Sequence, residues 1–134
     1  MEKGKFIYHI ATVSDLKTRT VNGMYTPAGF ENDGFIHCTG EPETCLLVLD
    51  DYFSALAKDH TILVLEIDTA RLNAEVKFEA PAPIEGGGKS HIKPGILFPH
   101  IYGSMNIDAV CRAGVAEMKS GKFVWPENFE EIRI

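Results

Sequence analysis

Three histidines in apolar surroundings are the residues of this sequence best suited to chemistry. His9 lies in the apolar run 6–10, His37 in the run 35–38, and His100 in the run 97–103. A buried imidazole costs free energy unless a polar group pairs with it. Any one of these histidines, taken alone, is equally well explained as a core or cleft-wall residue that is hydrogen-bonded to a backbone carbonyl. The presence of three of them favours a shared functional site. Imidazoles that titrate near neutrality suit general acid/base catalysis or hydrogen bonding to phosphate and ribose hydroxyls.

A metal site is the alternative use of such residues. Zinc ligands usually occur as short pairs such as HxH, HxxxH or CxxC, and the sequence contains none of these. We therefore expect no bound metal. Neighbouring residues of a strand point to opposite faces, so Cys38 is not expected to form a nucleophile pair with His37.

Carboxylates that could act as a catalytic acid are not distinguished by their spacing. Glu66 is embedded in the most apolar run of the chain and is open to a perturbed pKa, whereas the other two candidates are equally well explained as strand ends. Any of the three fits the role equally well by spacing. The candidates are Glu66, Glu79 and Asp108.

Short strands are predicted to position the histidines. Alternation over residues 5–10 indicates a strand with His9 and Tyr8 on opposite faces, and a second strand covers 35–38. The nearly continuous apolar run 61–67 indicates a strand buried on both faces. Further strands are predicted at 76–78, 107–115 and 122–125.

Two helices are predicted between these strands. One is capped by Thr12 or Ser14 and ends at the Asn22-Gly23 pair. The other is capped by Thr39 or Gly40, carries Pro42 in its first turn, and has core positions at Leu46, Leu49, Phe53 and Leu56. Strands alternating with helices in this way predict an α/β (α+β) fold.

Length and composition fit one ordinary globular domain over residues 1–134, with 45% hydrophobic and 24% charged residues. The segment 81–95 holds three prolines and a Gly-Gly-Gly run, which predicts a mobile loop within the domain. The net charge of −6 disfavours long nucleic acids as partners. No apolar stretch has the length of a signal peptide or membrane span, and the three cysteines form no disulfide pattern, so we expect a cytoplasmic protein.

Four blocks of the sequence, at residues 7–10, 34–38, 65–68 and 98–103, together resemble the bacterial family known as domain of unknown function 952. The blocks follow the order seen in that family and span about residues 6–112. The resemblance implies a fold similar to that of ADP-ribosyltransferases and RNA 2′-phosphotransferases. In that fold a split, mixed or antiparallel sheet with flanking helices clasps a dinucleotide in a central cleft.

The resemblance also implies roles for particular residues. His9 matches a first-strand histidine that contacts the ribose of NAD, and His37 is similar to the second polar position. The late glutamate of many such transferases has no counterpart here. Fold alone does not confer activity.

The resulting hypothesis is a nucleotide-handling transferase that binds NAD or an ADP-ribose-like group as its substrate, without a resident cofactor. His9 and His37 are expected to face one cleft, with His100 near its rim or the loop closing over it. Further hydrogen bonds to the ligand are expected from Tyr8, Thr39 and Tyr102. The alternative from another class is a non-catalytic module that binds a small nucleotide-like molecule.

Overall fold

The computed structural model of the protein describes residues 5–81 and 95–131. Most of the predicted mobile loop, 82–94, lies outside the described residues. The strands are β1 (Phe6–Thr12), β2 (Thr20–Val21), β3 (Met24–Tyr25), β4 (Ile36–His37), β5 (Ile62–Asp68), β6 (Glu75–Glu79), β7 (Phe98–Tyr102), β8 (Met105–Asn106), β9 (Val110–Val115), β10 (Glu117–Lys119) and β11 (Lys122–Val124). The helices are α1 (Val13–Arg19), α2 (Phe30–Asp33) and α3 (Pro42–Tyr52), with 3-10 turns at Leu56–Lys58, Thr69–Arg71 and Ile107–Ala109. None of these helices has the length and apolar character needed to cross a membrane.

All strand pairings in the described part of the chain are antiparallel, which makes the fold α+β. One sheet has the order β1-β5-β9 and another the order β4-β7-β6. These two sheets are joined by a bridge in which the amides of Tyr8 and Thr39 each donate to the other's carbonyl at 2.8 Å. Two smaller sheets, β2-β3-β8 and the hairpin β10-β11, complete the pairing.

Strand β5 is the centre of the core, as its apolar sequence predicts. Ile67 and Leu65 pack on one face of the β1-β5-β9 sheet with Ile7 of β1. Val64 packs on the other face against Leu49 of α3. Alternation along β1 places His9 on the first face and Tyr8 on the second, as the sequence predicts.

The prediction that the first helix ends at Asn22-Gly23 was wrong. Helix α1 is capped by Thr12, whose hydroxyl accepts the amide of Asp15 at 3.0 Å, and it ends at Arg19. Asn22 (φ 52°) and Gly23 (φ 77°) instead form the two-residue turn between β2 and β3. Positive φ at both central positions is the geometry of a hairpin turn that follows the twist of its strands.

Helix α3 begins later than the sequence predicted. Glu41 occupies the N-cap position instead of Thr39 or Gly40, because Thr39 is held in the bridge to Tyr8. The buried positions are Thr44, Cys45, Val48 and Leu49, so Leu49 is the predicted core residue that is fully buried. Leu56 lies in the 3-10 turn after the helix and is exposed.

Candidate functional site

A cavity of about 520 Å³ lies where β1, β4 and β7 meet α3 and the segment 27–35. Its size is typical of small-molecule sites in proteins. His9, His37 and His100 all line it. The phenylalanine and tyrosine side chains in its walls are Tyr8, Phe30, Phe35, Tyr52, Phe53 and Phe98.

His9 is fixed by a hydrogen bond to the strand that carries His37. Its Nδ1 lies 2.6 Å from the carbonyl oxygen of His37, which can only accept, so Nδ1 carries the proton. Its ring centroid lies 5.8 Å from that of Tyr25, and His9 is only 8% exposed. Burial lowers the pKa of His9 to about 4, against the opposing effect of the backbone hydrogen bond. The imidazole is therefore neutral at physiological pH, with an unprotonated Nε2.

His37 is paired with Asp33, a residue that sequence reasoning did not select. Nε2 of His37 lies 2.9 Å from Oδ2 of Asp33, and both side chains line the cavity. Asp33 ends α2, and Gly34 follows with φ 80°, donating its amide to the Phe30 carbonyl at 2.7 Å. This left-handed turn, which glycine adopts without strain, brings the carboxylate back over β4.

His100 is the most deeply buried of the three imidazoles, at 3% exposure. The sequence predicted it near the rim of the cleft, whereas it lies in the cavity wall. Its Nδ1 lies 2.9 Å from Oε1 of Glu79 on the neighbouring strand β6. The ring stacks on Phe35 with centroids 4.0 Å apart and an interplanar angle of 22°. The His37 ring packs edge to face against the His100 ring, with centroids 5.7 Å apart.

The three residues predicted to supply further hydrogen bonds have different outcomes. Tyr8 and Thr39 line the cavity. Tyr102 does not; its exposed hydroxyl donates to Glu79 outside the cavity. That bond and the one from His100 lower the pKa of Glu79. Tyr102 lies two residues beyond His100 on the same face of β7, so it supports the partner of His100 and does not reach the ligand space.

Thr39 is the buried polar group in the cavity wall that lacks a partner among the described residues. Its Oγ1 is shielded from solvent and makes no hydrogen bond there. The nearby Cys45 thiol interacts with the Thr39 side chain, which lowers the pKa of Cys45. Burial has the larger effect and raises that pKa to about 12. The Thr39 hydroxyl is therefore held inside the cavity wall beside Cys45.

None of the three carboxylates considered from the sequence lines the cavity. Glu66 forms a bidentate ion pair with Arg112, with both N–O distances at 3.0 Å, on the opposite face of the β1-β5-β9 sheet from His9. Glu79 lies behind His100, and Asp108 accepts from the Asn106 amide at 2.5 Å. Among the described residues, the carboxylate in the lining is that of Asp33.

The grouping of ionisable residues also bears on metal binding. In the described ranges 5–81 and 95–131, no three His, Cys, Asp or Glu side chains are grouped closely enough to hold a metal ion. Cys38 is a buried residue of the cavity lining whose thiol pKa is raised by burial, and it packs in the hydrophobic core. The expectation of no bound metal stays a prediction.

The fold and site define an α+β protein in which two of the antiparallel sheets meet at a histidine-lined cavity. The chain belongs to the family described as protein of unknown function (DUF952), whose sequence model matches residues 10–113. No curated protein matches it.

The fold is similar to that in the crystal structure of protein CC0527 from Caulobacter crescentus. The TM-score is 0.69 at 21% sequence identity, over 90% of this chain and 94% of that chain. A double-mutant form of the same protein matches with the same TM-score and coverage at 20% identity. Similarity at this level of identity describes the fold alone.

Proposed function

We propose that this protein is a nucleotide-handling transferase that binds the nicotinamide riboside end of NAD, or an ADP-ribose-like group, in the histidine-lined cavity. The observation that carries the proposal is the set of three imidazoles, each anchored through one ring nitrogen. His9 is anchored by the His37 carbonyl, His37 by Asp33 and His100 by Glu79. The second nitrogen of each ring has no hydrogen-bonding partner among the described residues, which suits recognition of the hydroxyls of a ribose.

The apolar part of the lining supports an aromatic ligand group. Phe35 presents a ring held by contacts to His37 at 4.8 Å and to His100 at 4.0 Å. Phe98 and Tyr52 add further aromatic surface to the cavity. Offset stacking and edge contacts with such rings stabilise a bound heteroaromatic ring beyond its burial. A nicotinamide or a purine base has the required planar face.

The charge of the lining favours one end of a dinucleotide over the other. The described lining contains the carboxylate of Asp33 but no lysine or arginine. A carboxylate and aromatic faces attract the positively charged pyridinium ring of NAD. A pyrophosphate group has no cationic partner there, so in the proposal it lies outside the cavity entrance.

The fold likeness proposed for this chain is to the ADP-ribosyltransferases and RNA 2′-phosphotransferases. In support, two antiparallel sheets are joined through the Tyr8–Thr39 bridge, and the cavity lies beside that joint. His9 and Thr39 therefore reach the same space from different sheets. A cleft between two halves of a split sheet is the location that the resemblance implies for the dinucleotide.

Isothermal titration calorimetry with NAD, nicotinamide riboside and ADP-ribose tests the proposal. We expect NAD and nicotinamide riboside to bind, and His9→Ala or His37→Ala to weaken each by about 1–3 kcal/mol, the magnitude typical of removing one hydrogen-bonding group from a desolvated site. His60→Ala is the matched control, because His60 is exposed and outside the cavity. Equal affinity in all three variants, or no binding of either ligand by the parent protein, would contradict the proposal.

The second candidate is a non-catalytic module that binds the same kind of ligand. It is favoured by the positions of Glu66, Glu79 and Asp108, since none of these carboxylates reaches the cavity. Product analysis by liquid chromatography after incubation with NAD separates the two candidates. Binding without free nicotinamide or a new ADP-ribosyl product would support the module.

A further inference from the structure

We infer that His37, positioned by Asp33, is the general base that activates a water molecule as the acceptor, so that the site hydrolyses the nicotinamide–ribose bond of NAD. This inference rests on the proposed function and names the acceptor that the transferase uses. Asp33 and His37 are both in the cavity lining, with Oδ2 and Nε2 2.9 Å apart. No late glutamate is needed for this step.

The Asp33–His37 geometry selects one form of the imidazole. A carboxylate accepts hydrogen bonds, so an ionised Asp33 keeps the proton of a neutral His37 on Nε2. Nδ1 then carries the lone pair, and no described protein group is hydrogen-bonded to it. A carboxylate that orients an imidazole and stabilises its protonated form is the arrangement that enzymes use to activate hydroxyl nucleophiles.

The Asp33 carboxylate is built into its position by the backbone on both sides. Gly34 has φ 80°, which turns the chain directly after Asp33. A Cβ on Gly29 would lie 3.3 Å from Oδ2 of Asp33, so the absence of a side chain there leaves room for the carboxylate. These two glycines hold the acid against the imidazole without a long helix.

Access to solvent distinguishes His37 from the other two cavity histidines. The side chain of His37 is 27% exposed and that of Asp33 is 37% exposed. His9 and His100 are 8% and 3% exposed. A base for water must reach both the substrate and solvent, because it passes the abstracted proton on. His37 meets both conditions, whereas His9 and His100 are placed to hold the ligand.

The reaction balances without any further reactant. The oxygen of water forms a bond to C1′ of the nicotinamide ribose while the bond from C1′ to the pyridinium nitrogen breaks. The bonding electron pair moves to that nitrogen, so nicotinamide leaves as a neutral molecule. The proton of water passes to Nδ1 of His37 and then to solvent. NAD and water give ADP-ribose, nicotinamide and one proton.

The test compares nicotinamide release at saturating NAD with NAD affinity measured by calorimetry, using the full chain. We expect the parent protein to release nicotinamide and His37→Ala to lower kcat by at least about 100-fold, as for loss of a general base. Added imidazole should restore part of the activity of His37→Ala, which a purely structural role would not produce. Asp33→Asn should lower kcat at saturating NAD by at least about tenfold, in addition to any weakening of NAD binding from the lost charge, because the amide holds the imidazole less well in the required form.

Glu31→Gln is the matched control, since it removes the same charge from α2 at an exposed position outside the cavity lining. Its kcat and Kd should equal those of the parent protein. NAD binding without nicotinamide release, or an unchanged kcat in Asp33→Asn, would overturn this inference and leave the binding proposal intact. Absence of NAD binding to the parent protein would overturn both.

Discussion

The buried imidazole of His9 should make the stability of the protein depend on pH in a calculable way. Replacing His9 by Asn removes the titrating ring but keeps an N–H donor at the position of Nδ1, which donates to the His37 carbonyl. Burial lowers the pKa of His9 from 6.5 to about 4. The unfolded chain therefore binds more protons than the folded protein between these values, so the free energy of unfolding falls as pH drops below about 6.5.

The size of this effect follows from the two pKa values of His9, about 4 when folded and 6.5 when unfolded. The difference corresponds to at most about 3.4 kcal/mol, reached only below the folded-state value. Between pH 7 and pH 5 about 2 kcal/mol of the free energy of unfolding should be lost through His9 alone. Histidines common to parent and variant contribute equally to both, so their effect cancels in the comparison.

Urea denaturation at several pH values between 5 and 7 measures the effect. The parent protein should lose about 2 kcal/mol more than His9→Asn over this range. His60→Asn, at an exposed position, should follow the parent protein. Parallel pH profiles for the parent protein and His9→Asn would contradict this prediction, because they would mean that the folded protein accepts a proton on His9 as easily as the unfolded chain does.

Three further predictions concern the surroundings of the site. Arg112→Ala should lower the free energy of unfolding by about 1–3 kcal/mol in urea denaturation, because it removes the charged partner of the 10% exposed Glu66 carboxylate. Arg71→Ala, at an exposed ion pair, should change the free energy of unfolding by less than about 0.5 kcal/mol, and equal effects of the two substitutions would contradict this. Gly34→Ala should cost about 1–2 kcal/mol in the same measurement, because the φ of 80° is strained for alanine. Elemental analysis of untagged protein should find well under one equivalent of zinc, and stoichiometric zinc lost on replacing His9 or His37 would contradict the expectation.

The sequence predicted features that depend on local patterning. The apolar run 61–67 indicated the central strand, observed as Ile62–Asp68. Alternation in the first strand placed His9 and Tyr8 on opposite faces, as observed. Both features follow from the sequence pattern of a single strand and its two-residue period.

The partners of the histidines could not be predicted in the same way. Glu79 reaches His100 because β6 and β7 pair in a register that sets Lys77 opposite His100, and that register is a long-range property. Asp33 reaches His37 through the left-handed turn at Gly34, in a segment that the sequence indicated only as a loop. An acidic residue directly before Gly34, four residues before His37, was the available signal for this pair.

¹⁵N NMR of the histidine rings during an NAD titration shows whether His9, His37 and His100 form one ligand site, because it observes each imidazole nitrogen separately. We expect the ring signals of all three to shift together with one saturation curve while those of exposed His60 do not. In the free protein we expect His9 to carry its proton on Nδ1. Saturable NAD binding that moves none of the three cavity histidines would contradict the single ligand site.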